Sequence, residues 1–354
     1  MGRQRDSDPA GRASFARWGP MKRRWGAVAV LLGAAAWGST GTAAHFAPPG
    51  ATATSIGAAR IAVGGLGLLI IAVSTVANRQ AVGRMLARRR SVDQAGGADR
   101  QAGGPDGDRA AGRRAGSWRA VLVLAAAAVA GYQICFFTAV RVTGVAIGTV
   151  VAIGSAPGWT GLLTRLTGGP WPGRRWALAT AAAVAGCVVL ITGGQASGVR
   201  PGGVVLALAA GLCYAVYAVA AGRMISTGSA DSAVMGLIFG GAAVLLAPVL
   251  AASSTGWLLS LRGLAVVGYL GVVTTVVAYL LYGRGLRTVP VPTASTLGLA
   301  EPAVAAMLGL VVLHERLSGA AIAGLGLVGL ALASMAAVPE AERAEGIGQA
   351  GPPG

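Results

Sequence analysis

The sequence predicts an all-α polytopic membrane protein with ten transmembrane helices, built as two inverted five-helix repeats with both termini cytoplasmic. Three observations predict it. Hydrophobic residues make up 54% of the chain and charged residues only 12%, against about a quarter charged in soluble domains. Ten apolar runs reach the roughly 20 residues that cross the hydrocarbon at 1.5 Å rise per residue. With the N-terminus inside, 24 of the 29 Lys and Arg fall in inner tails and loops. The outer loops hold Arg141, Arg200, Arg262 and Arg316 alone, and an excess of basic residues marks the cytoplasmic side.

Taken in order, residues 1–25 form a polar, Arg-rich tail expected to be disordered and cytoplasmic. Span one is Gly26–Phe46, stopped by Pro48-Pro49-Gly50. Arg23-Arg24 before it and Thr42-Ala43-Ala44 near its end resemble a signal peptide, but the apolar run is long enough to stay as an anchor. Span two is Thr54–Val76 and contains Arg60. The stretch 77–117 is rich in Arg, Gly, Ala and Asp, lacks hydrophobic periodicity and reads as a disordered cytoplasmic loop.

Spans three to five follow at Arg119–Val140, Thr143–Thr164 and Trp176–Gly193, closing a first repeat over 26–193. Spans six to ten, Gly203–Met224, Ser232–Ala252, Gly263–Gly283, Pro290–Leu313 and Gly319–Val338, form the second repeat over 202–338. A Gly/Pro-rich tail, 339–354, is expected to be disordered and cytoplasmic.

The halves echo one another. Gly33-Ala34-Ala35-Ala36-Trp37-Gly38 in span one resembles Gly211-Leu212-Cys213-Tyr214-Ala215 in span six, each placing an aromatic after small residues. Gly154-Ser155-Ala156-Pro157 in span four matches Leu299-Ala300-Glu301-Pro302 in span nine. Five is an odd number, so the second copy enters the membrane with opposite polarity. Inverted repeats with interrupted helices at matching positions are a transporter plan, with the substrate site near the midplane. Pro157 and Pro302 are the expected interruptions and hinges.

The stretch around Glu301-Pro302 organises the rest. Glu301 is the one acidic residue inside an apolar segment, and a carboxylate at that depth costs roughly 2.5–3.5 kcal/mol on insertion scales for Asp. Glu301 is either a proton carrier or half of a fixed salt bridge. Arg60, the one basic residue inside a span, is its partner, an anchor for an anionic group of the substrate, or a structural clamp. Trp37, Tyr214, Tyr217, Gln133, Tyr279 and Tyr282 are candidates to line a cavity with stacking faces and hydrogen bonds. Trp25, Trp171, Trp176 and Trp257 suit the membrane interface. Gly144, Gly148, Gly154, Gly158, Gly236 and Gly240 stand in small-xxx-small pairs that let helices approach inside the monomer.

Several function classes fall away. The only lysine, Lys22, lies in the N-terminal tail, which removes a P-loop and an intramembrane Schiff base to retinal or pyridoxal phosphate. Cofactors are therefore expected to be none. His314-Glu315 lacks the second His of a zinc helix, with Ser318 in its place, and His45 is distant, so no metal site is expected. Cys135, Cys187 and Cys213 all lie in apolar spans without ligand spacing. The formal charge of +17 sits in tails and loops, and Arg79–Ser117 carries no aromatic stacking residue. That charge fits topology and anionic lipid rather than nucleic acid.

The Trp37-Gly38-Ser39 box, the Ala59-Arg60 pair and Glu315-Arg316-Leu317-Ser318 before a Gly-rich last helix resemble the EamA-type branch of the drug/metabolite transporter superfamily. The resemblance runs from Gly26 to Val338 without the 77–117 insertion. It implies a ten-helix bundle with a central cavity, moving small metabolites by alternating access. The expected function is thus secondary transport of amino-acid, nucleobase or drug-like solutes across the cytoplasmic membrane, as an exporter coupled to protons, with lipid and the small solute as partners. The alternatives are a membrane-embedded enzyme, which needs clustered catalytic groups the spans lack, and a non-transporting scaffold or sensor, which leaves Glu301 unexplained.

Overall fold

The computed structural model describes residues 9–74, 80, 105–192, 200–314, 316 and 318–336. The tail 339–354, residues 1–8, 81–104 of the expected loop, and Glu315 and Leu317 of the last box lie outside them. Every element among the described residues is helical. Among the described residues, ten helices are long and apolar enough to cross a membrane, so the chain is a multi-pass membrane protein.

In chain order the helices are α1 (Pro9–His45), α2 (Ala53–Ser74), α3 (Pro105–Thr143), α4 (Val145–Leu166), α5 (Arg174–Thr192), α6 (Pro201–Ser226) and α7 (Asp231–Ala251). A short 3₁₀ turn, Gly256–Leu259, leads into α8 (Leu261–Gly271), a π turn (Val272–Val277) and α9 (Ala278–Leu286), which together make span eight. Span nine is α10 (Val291–Leu297) plus α11 (Ala300–Val312), and span ten is α12 (Gly319–Ala336).

Helices α1 and α3 start earlier than hydropathy places their spans, inside 1–25 and 77–117. Ala and Arg, both strong helix formers, recur in these stretches, and a helix continuing out of a span needs no apolar face of its own. The other ends carry local causes. Pro201 occupies the first turn of α6, where its missing donor is not needed. At the start of α2, Thr52 and Ser55 exchange bonds: Thr52 N donates to Ser55 Oγ (3.0 Å) and Ser55 N to Thr52 Oγ1 (3.1 Å). Gly228, at φ 91°, makes the turn from α6 to α7 that a side chain would resist.

The bundle is assembled from close helix pairs: α2 on α7, α3 and α4 on α6, α5 on α12, and α1 on α9 and α11. Without a hydrophobic drive between helices in lipid, small residues and van der Waals fit hold such pairs. A Cβ on Gly65 would lie 2.4 Å from Phe239 O, and one on Gly236 would lie 2.6 Å from Leu68 O. Gly240 meets Leu69 on the same helix, so the Gly236-x-x-x-Gly240 pair works inside the monomer. Gly158 meets nothing within 4 Å. The outward faces carry exposed Leu178, Val244 and Leu330, the side chains a hydrocarbon surround accepts.

Two expectations change. Helix α4 runs unbroken through Pro157, so Pro157 is not an interruption. Pro lacks one donor, but the turn is held by close packing of α4 on α6, where a Cβ on Gly211 would lie 2.7 Å from Ala152 O. Span nine does break, at Gly298–Leu299, a few residues before Pro302. Trp257 faces the protein rather than lipid. It is 5% exposed and its indole N–H donates to Ser55 Oγ at 3.1 Å.

Candidate functional site

The break in span nine builds the site. The chain leaves α10 at Leu297, turns through Gly298 and Leu299, and restarts as α11 at Ala300. The Glu301 amide donates to Gly298 O at 3.0 Å. Glu301 therefore occupies the first turn of a half-helix that begins inside the membrane. Unpaired amides and the macrodipole favour a carboxylate there. Pro302 stands in the same first turn, where a residue without a donor loses no helical bond.

Gly38 brings α1 against this turn. A Cβ on Gly38 would lie 2.6 Å from Glu301 O and 2.8 Å from Val304 Cβ. The neighbouring Trp37 faces span eight, with ring centroids 5.1 Å from Tyr279 and 5.3 Å from Tyr282. The Tyr214 hydroxyl donates to the Tyr282 hydroxyl at 3.0 Å, and Tyr214 packs edge-on to Tyr217 at 5.1 Å. Phe239 of α7 lies 3.9 Å from Tyr279. The result is a continuous aromatic wall drawn from α1, α6, α7 and α9.

Arg60 enters from α2. Its Nη1 donates to Thr40 Oγ1 at 3.4 Å, while Nε is buried with no partner among the described residues. Arg60, Glu301, Tyr279 and Tyr132 lie close enough for their charges and dipoles to act on one another. Yet Arg60 and Glu301 are not joined as an ion pair; the pair formed among the described residues is Arg287 with Asp231, at 3.7 Å. The Trp37 indole N–H is likewise buried without a partner. A buried donor left unpaired costs about 1–3 kcal/mol, so two in one place need a reason.

Of the residues singled out by sequence, Glu301, Arg60, Trp37, Tyr214, Tyr217 and Tyr279 come together here. Gln133 is buried on α3, but among the described residues no hydrogen bond ties it to Glu301 or Arg60. Pro157 lies on α4, outside this constellation. The sequence reading missed Tyr132, which stacks on Phe136 at 5.5 Å; the signal was its place beside Gln133 on a span otherwise poor in polar groups. It also missed Thr40 and Phe239, which carry no signal before the helices are packed.

Ten spans packed around this buried site define a polytopic membrane protein rather than a soluble binding protein, an architecture that transporters use. Comparison with known proteins agrees. The EamA-like transporter family matches residues 201–336. The chain is 34% identical over 315 residues to YwfM of Bacillus subtilis (strain 168), described as an uncharacterized transporter, covering 89% of this chain and 94% of that one. A crystal structure of another protein shares the fold with a TM-score of 0.65 at 20% identity, over 87% of this chain and 95% of the other. The chain belongs to the EamA-like transporter family.

Proposed function

We propose that the protein exports a small zwitterionic metabolite, of the amino-acid type, across the cytoplasmic membrane by alternating access, in exchange for protons bound at Glu301. The observation that carries this reading is that Arg60 and Glu301 share one aromatic-walled site without pairing. Buried charges need partners. A solute bearing a carboxylate and an ammonium supplies both at once: the first for the Arg60 fork, the second for Glu301, with the faces of Trp37 and Tyr279 adding cation–π attraction. Nucleobases and singly charged drug-like solutes leave one of the two unmatched.

Competition gives the direction. A proton and the solute's ammonium claim the same carboxylate, so one leaves as the other binds. Under an inward proton gradient such an exchange moves the solute out.

The helix pairs support two inverted repeats. Advancing each span by five maps the α2–α7 and α5–α12 pairs onto themselves, span one with eight onto six with three, and span one with nine onto six with four. The basic loops support cytoplasmic termini and contact with anionic lipid, not nucleic acid. In this reading the Gly298–Leu299 break and Pro302 are the hinge, and Gln133 and Tyr217 line the path. An enzyme would need an activated nucleophile beside Glu301; the Cys187 thiol is buried and donates to Leu299 O at 3.9 Å.

Counterflow in proteoliposomes tests the proposal. Preloaded amino acids should drive saturable uptake of labelled amino acid, and neither the matching amine nor the matching deaminated acid should substitute. Equal exchange of the amine would remove the Arg60 assignment. No exchange of any solute would remove transport.

A further inference from the structure

Span eight is not a uniform helix. Between α8 and α9 it opens into the π turn Val272–Val277. The turn lies on α2, where a Cβ on Gly64 would stand 2.4 Å from Thr275 Cβ and one on Gly67 would stand 2.8 Å from Val276 Cγ2. Gly64 and Gly67 follow Arg60 at helical spacings of four and seven, so the turn and Arg60 share one face of α2.

Two hydroxyls share one carbonyl at the start of the turn. Thr274 Oγ1 donates to Leu270 O at 2.7 Å, and Thr275 Oγ1 donates to the same oxygen at 3.0 Å. The first is an ordinary bond to the carbonyl four residues back, which any helical Thr can make. The second reaches five residues back. A regular α turn does not bring that carbonyl to a Thr hydroxyl, so the Thr275 bond is specific to the widened turn. Both side chains are fully buried, where a hydroxyl without a partner is costly.

The consequence lies one turn further on. A π turn holds one more residue than the α turn it replaces, so the helices on either side keep their facing. Relaxed to α-helix with every residue retained, α9 would rotate about 100° and advance 1.5 Å relative to α8. Tyr279 and Tyr282 would then leave Trp37, Phe239 and Tyr214.

We propose that Thr274 and Thr275 are positioning residues: their shared bond to Leu270 O holds the π turn that aims Tyr279 at Arg60 and Glu301 and Tyr282 at Trp37 and Tyr214. The inference rests on the transport reading of the site, and it adds the device that sets the aromatic wall. It also explains a sequence feature with no other role, two adjacent buried threonines inside an apolar span.

The test uses the full chain in nanodiscs and proteoliposomes, with 3-fluorotyrosine at position 279 read by fluorine NMR. Thr275→Val, which keeps shape and removes the hydroxyl, should move the Tyr279 resonance and raise the half-saturation concentration for exchange by about tenfold, as expected for one lost buried hydrogen bond. Thr275→Ser should restore both. Deleting Val272 in the Thr275→Val chain removes the extra residue, and should return the resonance toward its original position. An unmoved resonance in both Thr275→Val and the Thr274→Val/Thr275→Val double variant overturns the proposal. If the unaltered chain exchanges no solute, the transport reading fails, while the fluorine signal still decides whether the threonines set the register.

Discussion

Gly38 and the carbonyl of Glu301 are in backbone contact: a Cβ on Gly38 would lie 2.6 Å from that oxygen. The Trp37-Gly38 pair thus does two things in one turn of α1. Gly38 lets α1 press against the start of the half-helix α11, and Trp37 covers Tyr279 and Tyr282. Gly38→Ala should force α1 and α11 apart at Glu301. The expected cost is about 1–3 kcal/mol, as for other overpacked cores, read as a lower melting temperature in detergent. Substrate affinity should fall with it. A variant that binds and melts as before would show that the contact yields freely.

A second prediction concerns the loop before α8. The Trp257 indole N–H bonds Ser55 Oγ, and the Ser55 hydroxyl itself donates to Thr52 O at 3.0 Å. Trp257 and Val267 form a small buried cluster with Ala59, the residue before Arg60 on α2. Trp257→Phe keeps most of the apolar contact and removes one donor, leaving Ser55 with its helix-capping bonds. Stability should fall by about 0.5–1.5 kcal/mol, whereas Trp257→Ala should cost about 3–5 kcal/mol. Equal melting temperatures for the two variants would remove the packing role.

The two prolines should separate. Pro157 lies inside a continuous helix, where a proline forgoes a hydrogen bond. Pro157→Ala should raise the melting temperature and leave exchange almost unchanged. Pro302 lies in the first turn of α11, just after the break. Pro302→Ala supplies an amide able to draw α11 back toward Gly298 O, favouring a continuous span nine. Exchange should slow several-fold with substrate affinity retained. Slower exchange in Pro157→Ala than in Pro302→Ala would reverse the assignment of the hinge.

Much of this architecture is legible in the sequence because lipid makes a simple demand: runs of apolar residues, with all backbone groups satisfied within the helix. Glu301 and Arg60 stand out for the same reason, as lone charges in such runs. What the sequence does not reveal depends on packing between distant segments. The break falls at Gly298–Leu299 rather than at Pro302, because a proline in the first turn of α11 costs no helical bond and so need not interrupt the span. Val272–Val277 reads as an ordinary β-branched stretch until Gly64 is placed beside Thr275. Trp257 reads as interfacial until Ser55, 202 residues away, gives its N–H a partner. The prolines looked alike because the repeat aligns them, yet only one lies beside a helix end.

The last prediction concerns Glu301 and Arg60 as separate binding groups. A carboxylate locked to Arg60 would stay ionised through the transport cycle and do no more than hold two helices. The structure forms no such ion pair: Arg60 donates to Thr40, and Glu301 sits in the first turn of α11. Gln keeps the size and hydrogen-bonding capacity of Glu but does not titrate. Glu301→Gln should therefore express and fold, abolish uphill export driven by a pH gradient, and retain downhill exchange at reduced affinity. Arg60→Gln should fold as well, but lose affinity for solutes with a carboxylate while tolerating the corresponding amine. If Glu301→Gln fails to fold, as expected when removing one partner of a buried ion pair costs about 3–5 kcal/mol, the two residues are paired in the membrane. Gradient-driven export that survives in a well-folded Glu301→Gln would instead take the proton away from Glu301.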